Sequence, residues 1–247
     1  MQNAYSPPTG FSVMPPVVKN LLIINVLAYF ATFGFSGFTG RPDATPLGEM
    51  VTLLFALWPA GVPSPVIDAI AQQGLDVGTF YPWQLVTTGF LHGGFSHILF
   101  NLLFGVWMFG MRIENTLGSR RFAVFYLICV IGASLTQLAV TSAPYFFGGA
   151  PYPIPGPTVG ASGGVFGILI AFGMLYPDEP IYLYFFVPIK AKWLVLGLIV
   201  FNLYAGTTGT QAGVANFAHL GGALTGFLLI QFWRGKLPLR PKPQSVT

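Results

Sequence analysis

Long apolar stretches separated by short polar ones dominate this chain and predict its secondary structure. An α-helix needs about 20 apolar residues to cross a bilayer, and several stretches approach or reach that length. Two shorter apolar segments, 50–58 and 181–188, are expected to lie at the membrane interface, and the first could instead re-enter the membrane. Six membrane-spanning helices are predicted, over residues 17–35, 96–111, 121–142, 158–176, 192–204 and 214–233.

The polar residues between these stretches predict where individual helices begin and end. Ser96 is a candidate N-cap for the second helix, because its hydroxyl can accept a hydrogen bond from a backbone N–H. Pro59 is expected to stop the short helix at 50–58. Residues 112–121 are predicted to form a short polar turn that leads into the third helix.

The overall composition fits a membrane protein better than a soluble one. Of the 247 residues 53% are hydrophobic and only 7% are charged, whereas soluble domains carry about 25% charged residues. So few charged residues could not cover the surface of a soluble protein. The sequence therefore predicts an all-α membrane protein. Cys129 is the single cysteine and lies in an apolar stretch, which excludes a disulfide framework and a cysteine-rich zinc site. Residues 1–16 have no basic segment before an apolar core, so no cleavable signal is expected.

The positions of the positive charges predict the topology. With six spans both termini lie on one side, and every Lys and Arg except Arg41 falls on that same side. The positive-inside rule then makes both termini cytoplasmic. The chain divides into a cytoplasmic N-terminal tail at 1–16, a six-helix membrane domain at 17–233 and a basic cytoplasmic C-terminal tail at 234–247. Nucleic acid is not an expected partner, because no basic stripe lies on a soluble surface.

Polar residues inside the predicted spans mark the candidate site, because they are costly in a bilayer. Ser162 lies in a Gly-Ala-Ser-Gly-Gly run at 160–164 in the fourth span, and His219 lies in the sixth. With a rise of 1.5 Å per residue they are expected about 6 Å and about 8 Å below the outer ends of their helices. His97 and Asn101 in the second span fall in the same shallow layer.

The spacing of these residues suggests how they could act together. His97 and Asn101 are four residues apart, so they share one helix face and form a pair of hydrogen-bond donors. Gly222 and Gly226 lie on nearly the same face as His219, where small residues allow another backbone to come close. A close approach of the fourth and sixth spans is what a short Ser-to-His hydrogen bond requires.

Four motifs, in this order along the chain, are highly specific when they occur together. They are His97-Ile98-Leu99-Phe100-Asn101, Gly110-Met111-Arg112-Ile113-Glu114 with Gly118, Gly160-Ala161-Ser162-Gly163, and Ala218-His219-Leu220-Gly221-Gly222. From about residue 81 to residue 233 the chain resembles the rhomboid intramembrane serine proteases. The resemblance implies a six-transmembrane-helix bundle that hydrolyses peptide bonds in or next to transmembrane segments, with a Ser–His dyad and no aspartate.

The resemblance also implies a role for each candidate residue. Ser162 would be the nucleophile, and His219 the general base and then the general acid. His97, Asn101 and the backbone N–H of Ser162 would form an oxyanion hole, with each donor worth about 3–4 kcal/mol in the transition state. Gly160 would leave room for the substrate backbone. Neither a cofactor nor a metal is expected, since three histidines without a carboxylate cluster do not suggest a zinc protease.

Two positions depart from the family pattern. Many members carry Trp-Arg in the first outer loop, where this chain has Trp-Gln with Gln84, which puts an arginine-dependent loop contact in doubt. Some members have a tyrosine four residues after the nucleophile, where this chain has Phe166. A phenyl ring can still stack under the histidine, but it has no hydroxyl. His92 matches a further family histidine and is given a supporting role at most.

Other readings of the same residues remain open. Ser162 could be a small packing residue that bonds its own backbone, and Glu114 is expected to fix an inner turn through backbone or Arg112 contacts. Polar residues taken as interhelical hydrogen-bond partners are Gln137, Asn202 and Asn216. The protein could also be an inactive relative that binds transmembrane clients, or a small transporter or channel, although neither internal repeats nor paired midplane charges are apparent.

The partners and the location follow from the same resemblance. Single-span or other transmembrane proteins are the expected substrates, and membrane lipid is the surrounding solvent. The minimal six-span plan suggests a bacterial inner membrane, with the active site open to water on the extracytoplasmic side.

Overall fold

The computed structural model describes residues 10–34, 46–183, 186–210 and 214–236. Residues 1–9 and 237–247 of the two predicted tails, and Arg41 in the first connection, lie outside these ranges. The elements, in chain order, are α1 Pro16–Phe33, α2 Pro46–Phe55, α3 Ser64–Ala71, α4 Gln84–Thr87, α5 Phe95–Leu117, α6 Ser119–Phe147, α7 Ser162–Leu175, β1 Pro180–Leu183, β2 Val187–Lys190, α8 Ala191–Thr208 and α9 Asn216–Trp233.

Helices α1, α5, α6 and α8 are long and apolar enough to cross a membrane. Only 22% of the most apolar part of α8 is buried inside the protein, so most of its apolar side chains face outward. Such exposed apolar surface is stable in lipid and not in water. The chain is therefore an integral membrane protein that is built mainly from helices.

The other two predicted spans are also helices, but they differ from the four above. Helix α7 has 14 residues, and α9 has 18 residues that include the polar side chains of His219 and Gln231. Both pack against α6 in the centre of the bundle. A short helix with polar residues is stable there because neighbouring helices cover it. The count of six spans remains a prediction.

Glycines hold α6, α7 and α9 close together. A Cβ on Gly222 of α9 would overlap the carbonyl oxygen of Gly163 in α7. A Cβ on Gly226 would lie 3.0 Å from the Cα of Gly167, and Gly167 in turn packs against Cys129 of α6. The prediction that small residues bring the fourth and sixth spans together is confirmed, and Cys129 is a small buried core residue.

Helix α5 differs from the prediction at both ends. It begins at Phe95 after Gly94, so Ser96 lies inside the first turn and the predicted Ser96 cap is wrong. Its middle, Phe100–Phe109, is π-helical. The helix then continues to Leu117, and only Gly118, with φ of 79°, separates it from α6. The predicted polar turn at 112–121 is therefore wrong, because the stretch is helical and the side chains of Glu114, Asn115 and Thr116 form hydrogen bonds within the protein.

Glu114 explains why this polar stretch stays helical. Its side chain is 1% exposed, and its two carboxylate oxygens accept hydrogen bonds from the backbone N–H groups of Val17 at 3.0 Å and Val18 at 2.7 Å. Ser119 at the start of α6 donates its hydroxyl to the same carboxylate at 2.6 Å. A negative charge at the first turn of α1 is favourable, because N–H groups there lack helical partners. The structural role expected for Glu114 is confirmed through its backbone contacts.

Basic side chains gather at the end of the bundle opposite Ser162. Ser162 begins α7, whereas Met174 and Tyr176 mark the other end of that helix. Arg234, which follows α9, donates to the Met174 carbonyl oxygen at 3.1 Å. The Arg112 guanidinium lies 4.7 Å from the centre of the Tyr176 ring instead of on Glu114.

The connection between α7 and α8 forms an antiparallel hairpin of β1 and β2, in which Pro180 pairs with Lys190. Residues 181–188 were expected only as an apolar interfacial segment, so the all-α description needs this exception. The Asp178 carboxylate lies 2.9 Å from the Lys192 ammonium and 3.2 Å from the Lys190 ammonium. Hydrogen bonds from these two lysines hold the pKa of the exposed Asp178 carboxyl below its ordinary value.

The first connection is more ordered than the sequence suggested. Helix α2 begins at Pro46 and ends at Phe55, so the predicted segment 50–58 is shifted and Pro59 does not end it. Leu57 instead exchanges two backbone hydrogen bonds with Thr158, at 3.0 and 2.8 Å. This connection therefore holds the segment that leads into α7.

Gln84 holds the same region together through its side-chain amide. It is fully buried. Its side-chain oxygen accepts the backbone N–H groups of Trp58 at 3.3 Å and Tyr81 at 3.2 Å. Its side-chain nitrogen donates to the carbonyl oxygens of Thr79 at 3.0 Å and Leu54 at 3.3 Å. The amide thus makes four hydrogen bonds to backbone groups of the first connection.

Candidate active site

The segment before α7 places Ser162 at the start of a helix and not inside one. Residues 158–161 are not helical, because Thr158 pairs with Leu57 and the Gly160 N–H donates to the Thr88 carbonyl oxygen at 3.0 Å. Ser162 is the first residue of α7. The predicted start at 158 and the predicted depth of about 6 Å below the helix end are therefore wrong. The corrected position puts the serine hydroxyl and N–H at the positive end of the helix dipole.

The structure brings Ser162 and His219 into direct contact. The Ser162 Oγ lies 2.8 Å from the His219 Nε2, which is hydrogen-bond distance. The two residues come from α7 and α9, which their glycines hold close together. The Phe166 ring stacks on the imidazole, with centroids 4.4 Å apart and planes 4° apart. The phenyl ring therefore stacks as expected.

The other nitrogen of His219 is also occupied. Its Nδ1 lies 2.7 Å from the Oδ1 of Asn202, a residue of α8. The sequence predicted that Asn202 forms a hydrogen bond to another helix, but it did not indicate that His219 is the residue bonded. The available signal was a polar residue in an otherwise apolar span.

His97 lies beside the serine with a defined tautomer. Its Nδ1 accepts the backbone N–H of Gly93 at 3.2 Å, so in the neutral ring the proton is on Nε2. A Cβ built on Gly160 would lie 3.0 Å from that Nε2 and 3.3 Å from the Ser162 Oγ. The N–H edge of His97, the bare backbone of Gly160 and the serine hydroxyl thus surround one small space.

Asn101 and His92 support His97 from either side. Asn101 is buried, and its side-chain nitrogen donates to the His97 carbonyl oxygen at 2.8 Å. That amide nitrogen carries a second N–H, which this bond does not use. His92 is 1% exposed and meets the His97 ring edge to face, with centroids 5.2 Å apart. Asn101 therefore lies one turn after His97 on α5, as predicted, and His92 packs on the ring.

A small cavity adjoins Ser162. Its volume is about 20 Å³, and about 10–15 Å³ is enough to hold a water molecule. Polar side chains line it together with Gly160 and apolar residues; they are Thr88, Ser134, Gln137, Thr158 and Ser162. A polar cavity of this size suits a single hydrogen-bonded water.

Comparisons with known proteins show which family this chain belongs to. The family model of the Rhomboid domain matches residues 79–235. RHOMBOID-like protein 4 of Arabidopsis thaliana is 34% identical over 147 residues, which is 60% of this chain and 33% of that protein. RHOMBOID-like protein 5 of the same plant is 33% identical over 246 residues, covering 93% of this chain and 74% of the relative. Rhomboid protease GluP of Bacillus subtilis is 34% identical over 145 residues, covering 59% of this chain and 25% of that protein.

The matched domain contains α5, α6, α7, α8 and α9 and every residue of the site described above. The chain belongs to the rhomboid family of membrane proteins. It spans about a third of the length of several curated relatives, such as RHOMBOID-like protein 4.

Proposed function

We propose that this protein is an intramembrane serine endopeptidase that hydrolyses peptide bonds in or next to transmembrane segments. The observation that carries the proposal is the 2.8 Å contact between the Ser162 Oγ and the His219 Nε2. A nucleophile within hydrogen-bond distance of a base is the arrangement that activates a serine hydroxyl. Relatives of this chain include one named as a rhomboid protease.

In the proposed first step the Ser162 oxygen attacks the carbonyl carbon of the substrate peptide bond. The hydroxyl proton passes to the His219 Nε2 as the new C–O bond forms. The electron pair of the carbonyl moves to its oxygen, which becomes negative. Gly160 presents only backbone beside the hydroxyl, which leaves room for an extended substrate chain.

The negative oxygen is proposed to be held by the Nε2–H of His97, the backbone N–H of Ser162 and the free N–H of Asn101. The His97 Nε2 and the Ser162 Oγ both lie beside Gly160. The His97 proton is on Nε2 because Gly93 occupies the other ring nitrogen. Donors fixed in place before the reaction stabilise the developing charge at about 3–4 kcal/mol each.

The tetrahedral intermediate then breaks its C–N bond, and His219 gives its proton to the leaving amine. The acyl-enzyme needs a water molecule, whose proton His219 can accept for the second half of the reaction. The 20 Å³ cavity beside Ser162 offers room for that water. Hydrolysis releases the new carboxyl end and restores the serine hydroxyl.

The proposed topology has six spans, with both termini in the cytoplasm. Basic residues gather at the end of the bundle opposite Ser162, and positive charge favours the cytoplasmic side. The site would then face the extracytoplasmic side, where water can reach it. We place the protein in a bacterial inner membrane and expect single-span membrane proteins as substrates.

The test uses purified protein in liposomes with a panel of tagged single-span membrane proteins. We expect cleavage in or beside a transmembrane segment, with the cut mapped by mass spectrometry. Ser162→Ala and His219→Ala are expected to abolish it. Ser64→Ala is the matched control, because Ser64 also begins a helix but is exposed and distant in the chain. Cleavage that persists in Ser162→Ala would contradict the proposal.

A second candidate is an inactive relative that binds transmembrane clients. No specific contact favours it, since the serine, the histidine and the donors around them are all present. Binding of panel proteins without cleavage, and with the same affinity in Ser162→Ala, would support this alternative instead.

A further inference from the structure

Asn202 is a buried polar residue that contacts the histidine of the proposed Ser162–His219 dyad. Asn202 lies in α8, where most side chains face outward, yet it is only 4% exposed. Its Oδ1 lies 2.7 Å from the His219 Nδ1. A buried polar group in a membrane helix is costly unless it is hydrogen-bonded, so this contact offsets a cost that a leucine at 202 would not incur.

The orientation of the Asn202 amide follows from its second hydrogen bond. Its Nδ2 donates to the Leu198 carbonyl oxygen at 2.8 Å. If the amide were reversed, its oxygen would face that carbonyl oxygen and two acceptors would meet. The Oδ1 is therefore the atom that faces His219, and it can only accept.

This orientation defines the tautomer of the histidine. Because the Asn202 oxygen accepts, the His219 Nδ1 must carry a proton. The Nε2 of the neutral ring is then bare and accepts the hydroxyl proton of Ser162. Without Asn202 the ring could carry its proton on Nε2, and a protonated Nε2 cannot act as a base toward the serine.

Two contacts also restrict the rotation of the ring. Phe166 lies flat against one face of the imidazole, which defines the plane, and the bond to Asn202 defines the angle within that plane. Outer partners of this kind orient a histidine in metal sites and in serine protease triads. Asn202 occupies the position of the third member, with a neutral amide in place of a carboxylate.

We propose that Asn202 is a positioning residue that holds His219 in the Nδ1–H tautomer with Nε2 directed at Ser162. This inference rests on the proposed function of the dyad. The amide oxygen also faces the Nδ1–H when the ring becomes positive during the reaction, so it stabilises the imidazolium without taking its proton.

Steady-state kinetics with a cleaved substrate in liposomes test the effect on catalysis. We expect Asn202→Ala to lower kcat about 10- to 100-fold with KM unchanged, the usual cost of losing an orienting partner. Asn202→Asp keeps an acceptor and adds a negative charge, so it should retain more activity and move the acidic limb of the pH–rate profile to higher pH. A wild-type kcat and pH profile in both variants would overturn the inference.

Asn25→Ala is the matched control. Asn25 is fully buried in α1, and its side-chain nitrogen donates to the carbonyl oxygen four residues earlier, at Leu21, at 2.7 Å. It shares the burial and the local bond of Asn202, but it lies in a different helix from the dyad. We expect its removal to affect thermal stability and to leave the pH profile unchanged.

A measurement on the ring itself does not depend on activity. In ¹⁵N-histidine NMR the wild-type protein should show a protonated Nδ1 and a bare Nε2 for His219, assigned by loss of the signals in His219→Gln. Asn202→Ala should show a mixture of tautomers. A wild-type ring with its proton on Nε2 would overturn the inference even if Asn202→Ala does not fold. If the tautomer is as expected but the wild type cleaves nothing, the proposed function has failed instead.

Discussion

At the level of single residues, Gly160 occupies a position that no other residue can fill without loss. Its φ of 141° lies in the region that side chains disfavour, and a Cβ there would lie 3.0 Å from the His97 Nε2. Backbone strain of this kind costs about 1–3 kcal/mol, and the Cβ would also crowd the His97 ring and the Ser162 hydroxyl. A misplacement of about 1 Å in an active site can cost about 100-fold, so we expect Gly160→Ala to lower kcat/KM about 10- to 100-fold. Gly156→Ala, in the same segment but with open space around it, should keep full activity.

The functional side chains could be predicted from the sequence to the extent that their motifs are local. A short sequence motif contains each of Ser162, His219 and His97, and the structure brings all three residues together. Asn202 has no such run, because its partner is 17 residues away in another helix. Two of the four Gln84 hydrogen bonds were equally hidden, since their partners Trp58 and Leu54 lie 26 and 30 residues earlier in the chain.

At the level of elements, Glu114 caps α1 from a different helix. Glu114→Ala would leave the partly buried N–H of Val17 and the buried N–H of Val18 without this acceptor. Each such loss costs about 1–3 kcal/mol, so we expect the free energy of unfolding to fall by about 2–6 kcal/mol. Chemical denaturation in detergent measures this change. Glu179→Ala removes an exposed carboxylate and should change stability by less than about 0.5 kcal/mol.

A second prediction for the elements concerns the contact between α7 and α9. A Cβ on Gly222 would overlap the Gly163 carbonyl oxygen, so Gly222→Ala must push the two helices apart. The Ser162–His219 hydrogen bond would lengthen, and we expect both thermal stability and cleavage to fall. Gly197→Ala on α8 meets open space and should raise stability slightly, because alanine favours a helix. Unchanged cleavage in Gly222→Ala would show that the packing is not needed.

The ends of the elements were the least predictable part of the fold. The start of α7 was predicted at 158 and lies at Ser162, because the pairing of Thr158 with Leu57 is a long-range contact. The stretch 112–121 was predicted as a turn and is mostly helical. Within it, the Glu114 carboxylate accepts hydrogen bonds from backbone N–H groups at the start of α1, which is distant in the sequence. The hydrophobic pattern indicates which segments form helices. Long-range hydrogen bonds such as those of Thr158 and Glu114 determine where these helices begin and end.

At the level of the whole molecule, the distribution of charge predicts orientation in the membrane. The helices α5, α7 and α9 begin near the candidate site, and their far ends carry Arg112 and Arg234. The test uses single-cysteine variants in a Cys129→Ala background and a thiol reagent that does not cross membranes. In intact cells Lys236→Cys should not react with this reagent until the membrane is permeabilised. A cysteine in place of Ala150 should react at once. The reverse pattern would contradict cytoplasmic termini.

The direct test of the dyad is the site of covalent labelling by a fluorophosphonate, which reacts with activated serines. We expect mass spectrometry of the folded, purified protein to find the adduct on Ser162. Labelling should be absent in Ser162→Ala, strongly reduced in His219→Ala and unchanged in Ser64→Ala. An adduct on a different serine, or no adduct on folded wild-type protein, would contradict the proposal that Ser162 is the nucleophile of a Ser162–His219 dyad.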